Sequence, residues 1–198
     1  MTTPLRLFLV SSLAFCMAAG LSPARAQQSG SQDEPDTLII SDTLNYDDMA
    51  KESVFTGNVV LTRGDMTLHS DRLTTREDAE GFQHGTATVE GGKLVFLRQE
   101  NPQKFEVLEA RGQRAEYNGK TEEVEMIGKA ILTRYICGKP FDNIQGERVI
   151  YRQKTGTYQA FGGPNSAAPG GRVRSLATPR ARADAAVEAC RKQQGAKN

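Results

Sequence analysis

The chain contains no tryptophan, only two histidines and only three cysteines among its 198 residues. His69 and His84 lack the HxH or HxxxH spacing of metal ligands, so a histidine metal site is excluded and both read as solvated side chains. The serines form no Gly-x-Ser-x-Gly elbow, and Gly91-Gly92 reads as a β-turn because no helix pattern follows to hold a phosphate. Asp47, Asp48, Glu77, Asp78 and Glu80 gather in turn-like segments but lack the Asp-x-Asp-x-Asp-Gly register of a calcium loop. No acid pair points to glycan hydrolysis. The expectation is a chain that is not an enzyme and carries neither metal nor cofactor.

An excess of charge of one sign is also missing: 25 Lys and Arg face 24 Asp and Glu. Nucleic acid, which demands a strongly positive surface, is excluded as a partner, and a neutral or amphipathic ligand stays open. Long apolar runs are missing too, with one exception, Leu7 to Leu21. That run is shorter than the roughly 20 residues that span a bilayer. Arg6 before it and Ala24-Arg25-Ala26 after it make residues 1–26 a signal peptide cleaved before Gln27, so export is expected. Lipid attachment at Cys16 is the weaker reading, because Phe15 precedes it where a small residue is wanted. Cys137 and Cys190 remain, and an oxidising compartment permits a disulfide between them; the alternative is a free Cys190 in a loose tail.

What is present is a β texture. Residues 27–36 are polar and turn-rich and read as a flexible lead-in. From Thr37 to about Phe161, short runs rich in Val, Ile, Leu, Thr, Phe and Tyr are broken by Gly, Asn and Asp roughly every 8–12 residues, as in an all-β domain. No capped helical period interrupts them. The chain also repeats itself. Tyr46 to Arg63 aligns without a gap on Tyr117 to Arg134, Gly57 falling on Gly128 and Leu-Thr-Arg closing both copies, 71 residues apart. A second echo sets Ser70-Asp71-Arg72-Leu73 beside Gly146-Glu147-Arg148-Val149. Each unit looks like two strands.

Alternation along a strand assigns the faces. Phe55, Gly57, Val59 and Leu61 share an inner face, as do Met126, Gly128, Ala130 and Leu132 in the second copy. Met66, Leu68 and Ser70 follow inward, with Thr67 and His69 outward. Further strands are expected at Lys93–Arg98, Phe105–Ala110, Glu147–Arg152, Thr157–Phe161 and Arg172–Ala177. Residues 179–198 read as a basic tail, either a short helix around Ala181–Lys192 or disordered and solvated, because no apolar face accompanies the charges. The small inner residues Gly57, Ser70 and Ala130 are compatible with a groove that is partly open.

These segments, with Ser41-Asp42, Phe55-Thr56-Gly57-Asn58-Val59, Ile150-Tyr151 and Gln159-Ala160-Phe161, resemble the OstA-like domain family of periplasmic lipopolysaccharide-transport proteins over about residues 37–178. The resemblance implies a V-shaped β-jellyroll, two facing antiparallel sheets built from repeated strand pairs, with an apolar groove for lipid A acyl chains. It also implies carriage of lipopolysaccharide from inner to outer membrane through end-to-end homo-oligomers, and edge-strand pairing with LptC-like inner-membrane and LptD-like outer-membrane proteins. The family's ligand-contacting tyrosine falls on Tyr117 and its apolar N-terminal strand on Thr37–Ser41, where Ile39 fits best. The expected groove residues are Ile39, Phe55, Val59, Leu61, Met66, Leu68, Phe96, Val107, Tyr117, Met126, Leu132 and Val149. A five-residue enlargement around Tyr135–Phe141, including Cys137, departs from the first repeat. The alternative is a ligand-free envelope scaffold joining partners through open sheet edges.

Overall fold

The computed structural model describes residues 35–195; the signal segment 1–26 and residues 27–34 of the lead-in lie outside the described residues. Twelve strands come in two sets of six. The first set is β1 (Thr37–Ile40), β2 (Thr43–Asp47), β3 (Glu52–Arg63), β4 (Met66–Glu77), β5 (Gln83–Thr88) and β6 (Val95–Asn101). The second is β7 (Glu106–Gly112), β8 (Arg114–Asn118), β9 (Glu123–Ile136), β10 (Lys139–Arg152), β11 (Thr157–Phe161) and β12 (Arg174–Leu176), followed by helix α1 (Arg180–Gly195).

All pairings are antiparallel. The long strands β3, β4, β9 and β10 each contribute to two leaves. In the first leaf the order is β2-β3-β4-β5-β8-β9-β10-β11. In the second it is β1-β3-β4-β6-β7-β9-β10-β12. The two sets of six are joined where β5 pairs β8 and β6 pairs β7. That leaves β2 and β1 at one end, and β11 and β12 at the other, with an unpaired edge each.

The bend between leaves is written in the repeat. The β3–β4 register slips between Thr56 and Val59, and the β9–β10 register slips between Gly146 and Arg148, opposite Gly128. In each case two consecutive residues take positive φ, Gly57 and Asn58 in one copy, Gly128 and Lys129 in the other. Such a bulge bends a strand and sharpens its twist. The backbone N–H of Asp42 donates to the Gly57 carbonyl at 3.0 Å, and that of Gln113 to the Gly128 carbonyl at 2.8 Å, so the same bond ties both corners. A Cβ at Gly57 would land on the Asp42 carboxylate, and one at Gly128 on the Gln113 side-chain amide. Gly57→Ala and Gly128→Ala are each expected to lower unfolding free energy by about 1–3 kcal/mol, the cost of a strained left-handed residue; urea denaturation checks this, and an unchanged midpoint would remove the bulge from the account.

On the partner strands the corner falls on the second echo. Ser70 and Leu73 both face inward although they are three positions apart, as do Gly146 and Val149, so alternation skips a step at Asp71-Arg72 and Glu147-Arg148. The acids secure the loops that arrive there. Asp71 accepts the Glu90 N–H at 2.8 Å, the main reason its carboxyl is held below the usual range, and Glu147 accepts the Asn165 N–H.

The inner faces of both leaves form one core that includes Val59, Leu73, Val95, Leu97, Met126, Leu132 and Val149. Burying each such side chain contributes about 1.5–3 kcal/mol, which drives the leaves together. The five-residue enlargement is a longer β9–β10 hairpin, turning at Cys137-Gly138 with both φ values positive and bulging between Pro140 and Asp142. There Cys137 and Cys190 form a disulfide, with Cα atoms 6.1 Å apart. Of the two readings of the tail, the helix is found. Ala183 is buried, and Ala186, Val187 and Cys190 share its half-buried face. That face is made of small residues, which is why it left no apolar stripe in the sequence.

Candidate functional site

Ten of the expected groove residues line the interior. Val59, Leu68, Met126, Leu132 and Val149 are buried in the core, and Ile39, Phe55, Leu61, Met66 and Tyr117 are half-buried against it. Two expectations are corrected. Phe96 and Val107 lie on the outer face, because their neighbours Val95, Leu97, Leu108 and Ala110 take the inward positions on β6 and β7. Phe96 instead stacks under the Arg111 guanidinium at 4.8 Å and lies 6.0 Å from the exposed His69 ring. Val107 shares its face with Glu109 and Arg111.

Registers turn these residues into rows that cross the strands. In the first leaf Leu44, Phe55, Leu73, Ala87, Ala115, Met126, Val149 and Ala160 face one another in succession. In the second, Ile39, Leu61, Leu68, Leu97, Ala110, Leu132, Ile144 and Ser175 do the same. Each row runs from one open edge to the other. Most members were not singled out from sequence, although their alternation with charged residues was the available signal.

Between the edges the core is tightly packed, with Val59, Ala130, Leu132 and Val149 at most 2 % exposed. The tips of the leaves also meet: the Gln153 side-chain amide donates to Met66 Sδ at 3.9 Å. Nearby, Arg134 is held by Glu106 at 2.9 Å and Asp142 at 2.6 Å. Burial works against its charge, but the two carboxylates outweigh that and hold the guanidinium above its usual range. Tyr151 and Tyr158 stack at 5.2 Å, and burial pushes both phenols up, so they stay neutral hydrogen-bonding groups. The hydroxyl of Ser70 is buried in the apolar corner with no hydrogen-bond partner among the described residues. A mostly polar cavity of about 320 Å³ is lined by Arg76, His84, Arg114, Glu116 and Glu123, together with Tyr117 and others. Its composition suits no acyl chain. His84 there bonds Asp78 at 2.8 Å rather than being simply solvated.

The edges are where apolar surface is left over. Among the described residues ten large apolar side chains are exposed, and eight of them lie on or beside the four edge strands: Leu38, Ile40, Leu44 and Tyr46 at one end, Tyr158, Phe161, Val173 and Leu176 at the other. So concentrated a distribution marks interaction surface rather than scatter. The ends also differ in charge. Asp36, Asp42, Asp47, Asp48 and Glu52 accompany the first, against Lys51 and Arg63. Arg172, Arg174, Arg180, Arg182, Arg191 and Lys192 accompany the second, against Asp184 and Glu188.

The family model described as LptA/(LptD N-terminal domain) LPS transport protein matches residues 38–157, from β1 to the start of β11. The chain belongs to this LptA/LptD N-terminal domain family. Among curated relatives it is 29% identical to the lipopolysaccharide export system protein LptA of Escherichia coli over 160 residues, 79% of this chain and 78% of that one. It is 26% identical to the lipopolysaccharide export system protein LptH of Pseudomonas aeruginosa over 139 residues, 70% of this chain and 75% of that one. The crystal structure of LptH from Pseudomonas aeruginosa, titled the LptA-homologous periplasmic component of the lipopolysaccharide transport device, aligns with a TM-score of 0.61 at 22% identity. It covers 73% of this chain and 96% of the other. The likeness places the fold among the β-jellyrolls of the LptA family. The family match stops before β12, α1 and Cys190. Among the described residues no helix is long and apolar enough to cross a membrane.

Proposed function

We propose that this LptA-family chain is a lipopolysaccharide transport protein that works in the periplasm as a passive, non-enzymatic link of a bridge from inner to outer membrane. The supporting observation is the pair of apolar rows running from edge to edge between the leaves. Acyl chains entering between the leaves would be stabilised by about 0.8 kcal/mol for each buried CH₂, without specific polar contacts. Because the side chains in the middle of the core are buried, loading requires the leaves to part, and the half-buried rim residues Ile39, Phe55, Leu61, Met66 and Tyr117 are the first surface an acyl chain meets.

The junction between the two sets of strands supplies a template for joining copies. Within the chain, β5 and β6 receive β8 and β7. By the repeat, β11 and β12 are the counterparts of β5 and β6, and β2 and β1 are the counterparts of β8 and β7. A second copy would thus set its Tyr46 opposite Tyr158, Leu44 opposite Ala160, Ile39 opposite Ser175 and Leu38 opposite Leu176. Both inner rows would continue across the joint, and the exposed edge residues would be covered. LptC-like and LptD-like partners with the same fold would add strands at the two ends in the same way.

A ligand-free scaffold is the second reading, and the closed core favours it. A photo-crosslinking residue at Tyr117, on the inner face, and separately at His69, on the outer face, separates the two in intact cells. Lipopolysaccharide adducts at position 117 and none at 69 are expected. Adducts at neither position, with the protein folded and exported, would leave only the scaffold.

A further inference from the structure

The C-terminal edge strand is the weakest-held part of the sheet. β12 pairs with β10 through only three residues, Arg174, Ser175 and Leu176, all exposed. A short exposed strand frays unless something anchors it. The anchors lie just beyond it. Thr178 donates its N–H to Asp142 at 2.7 Å and its hydroxyl to the Phe141 carbonyl, and the chain then enters α1, whose Cys190 is bonded to Cys137 at the tip of the β9–β10 hairpin. Phe141 belongs to the enlarged part of that hairpin, which the first repeat lacks, and Asp142 is the first residue after it. The added hairpin residues, the helix and the disulfide therefore converge on one strand end.

We infer that the Cys137–Cys190 disulfide is a redox latch that holds β12 in place as an acceptor edge for strand addition. The inference rests on the bridge reading for its consequence but not for its mechanism. Closing the latch takes two electrons and two protons from the Cys137 and Cys190 thiols and delivers them to an exported protein disulfide, which leaves as a dithiol; a dithiol reductant reverses the exchange. Oxidised, β12 stays in register on β10 and offers its free edge to β1 of a second copy. Reduced, residues 174–195 loosen and the second leaf loses that edge, while the first leaf keeps β11.

Two measurements on the full exported protein test this, with Cys137→Ser and Cys190→Ser compared to the oxidised wild type. Hydrogen exchange reads the latch directly. Amides of residues 174–178 are expected to exchange at least tenfold faster in both variants while β3 and β4 are unchanged; equal protection at 174–178 overturns the latch. Sedimentation equilibrium reads the consequence. Association is expected to weaken at least tenfold in the variants, and equal association overturns the role assigned to β12. A wild type that stays monomeric at every concentration, with β12 still protected only when oxidised, overturns strand addition and leaves the latch standing as a purely structural clasp.

Discussion

A short bismaleimide joining Met66→Cys to Gln153→Cys is expected to reduce lipopolysaccharide capture at least tenfold relative to the same double variant without cross-linker. These side chains touch across the tips of the two leaves, so a covalent link there prevents the leaves from separating. The expectation follows from packing density. A core in which Val59, Ala130, Leu132 and Val149 are at most 2 % exposed has no room for acyl chains until its walls move. Parting them exposes apolar surface at about 25 cal/mol for each Å², and an acyl chain filling the gap returns a similar amount, so the exchange is close to balanced and needs no chemical step. The native disulfide lies at the other hairpin and stays oxidised throughout, since maleimide chemistry needs no reductant. Capture that persists in the cross-linked protein would place the ligand outside the leaves and remove the interior from the mechanism.

Placing Tyr158→Cys and Tyr46→Cys in one chain is expected to give a ladder of covalent multimers with the same reagent. Tyr158→Cys with Asn45→Cys should give almost none, because Asn45 lies one residue out of register and on the opposite face. Directly opposed residues of an antiparallel pair have Cβ atoms about 4.5–5.5 Å apart, whereas a one-residue slip sends the side chain through the sheet. The acidic first edge and the basic C-terminal end add direction, favouring head-to-tail over head-to-head encounter. Raising the salt from 0.1 M to 1 M, which shortens the screening length from about 10 Å to about 3 Å, should slow ladder formation several-fold without changing the register. An equal yield from both cysteine pairs would mean that the copies do not meet as the two internal sets of strands do.

How far the residues alone reach differs from element to element. Gly57 and Gly128, with Leu-Thr-Arg after each, marked equivalent positions of the repeat, and the structure makes both of them bulges with the same φ signs and the same backbone bond. Thr157–Phe161 is a strand with the expected bounds. Phe96 and Val107 went to the wrong face for a local reason. Leu94-Val95-Phe96-Leu97 and Val107-Leu108 place apolar residues side by side, so a period of two fits either parity. Only the partners settle it: Leu97 faces Leu68 and Ala110, whereas Phe96 faces His69 and Arg111.

The amino-acid sequence by itself determined the all-β class, the internal repeat and the alternation that makes one face apolar, because these depend on the two-residue period of a strand. Only the tertiary structure decided which strands meet across the bend, that the middle of the core is fully buried, that the tail is a helix, and that Cys137 and Cys190 come together. Those outcomes depend on contacts between residues far apart in the chain, such as the 53 positions that separate the two cysteines, and no local pattern encodes them.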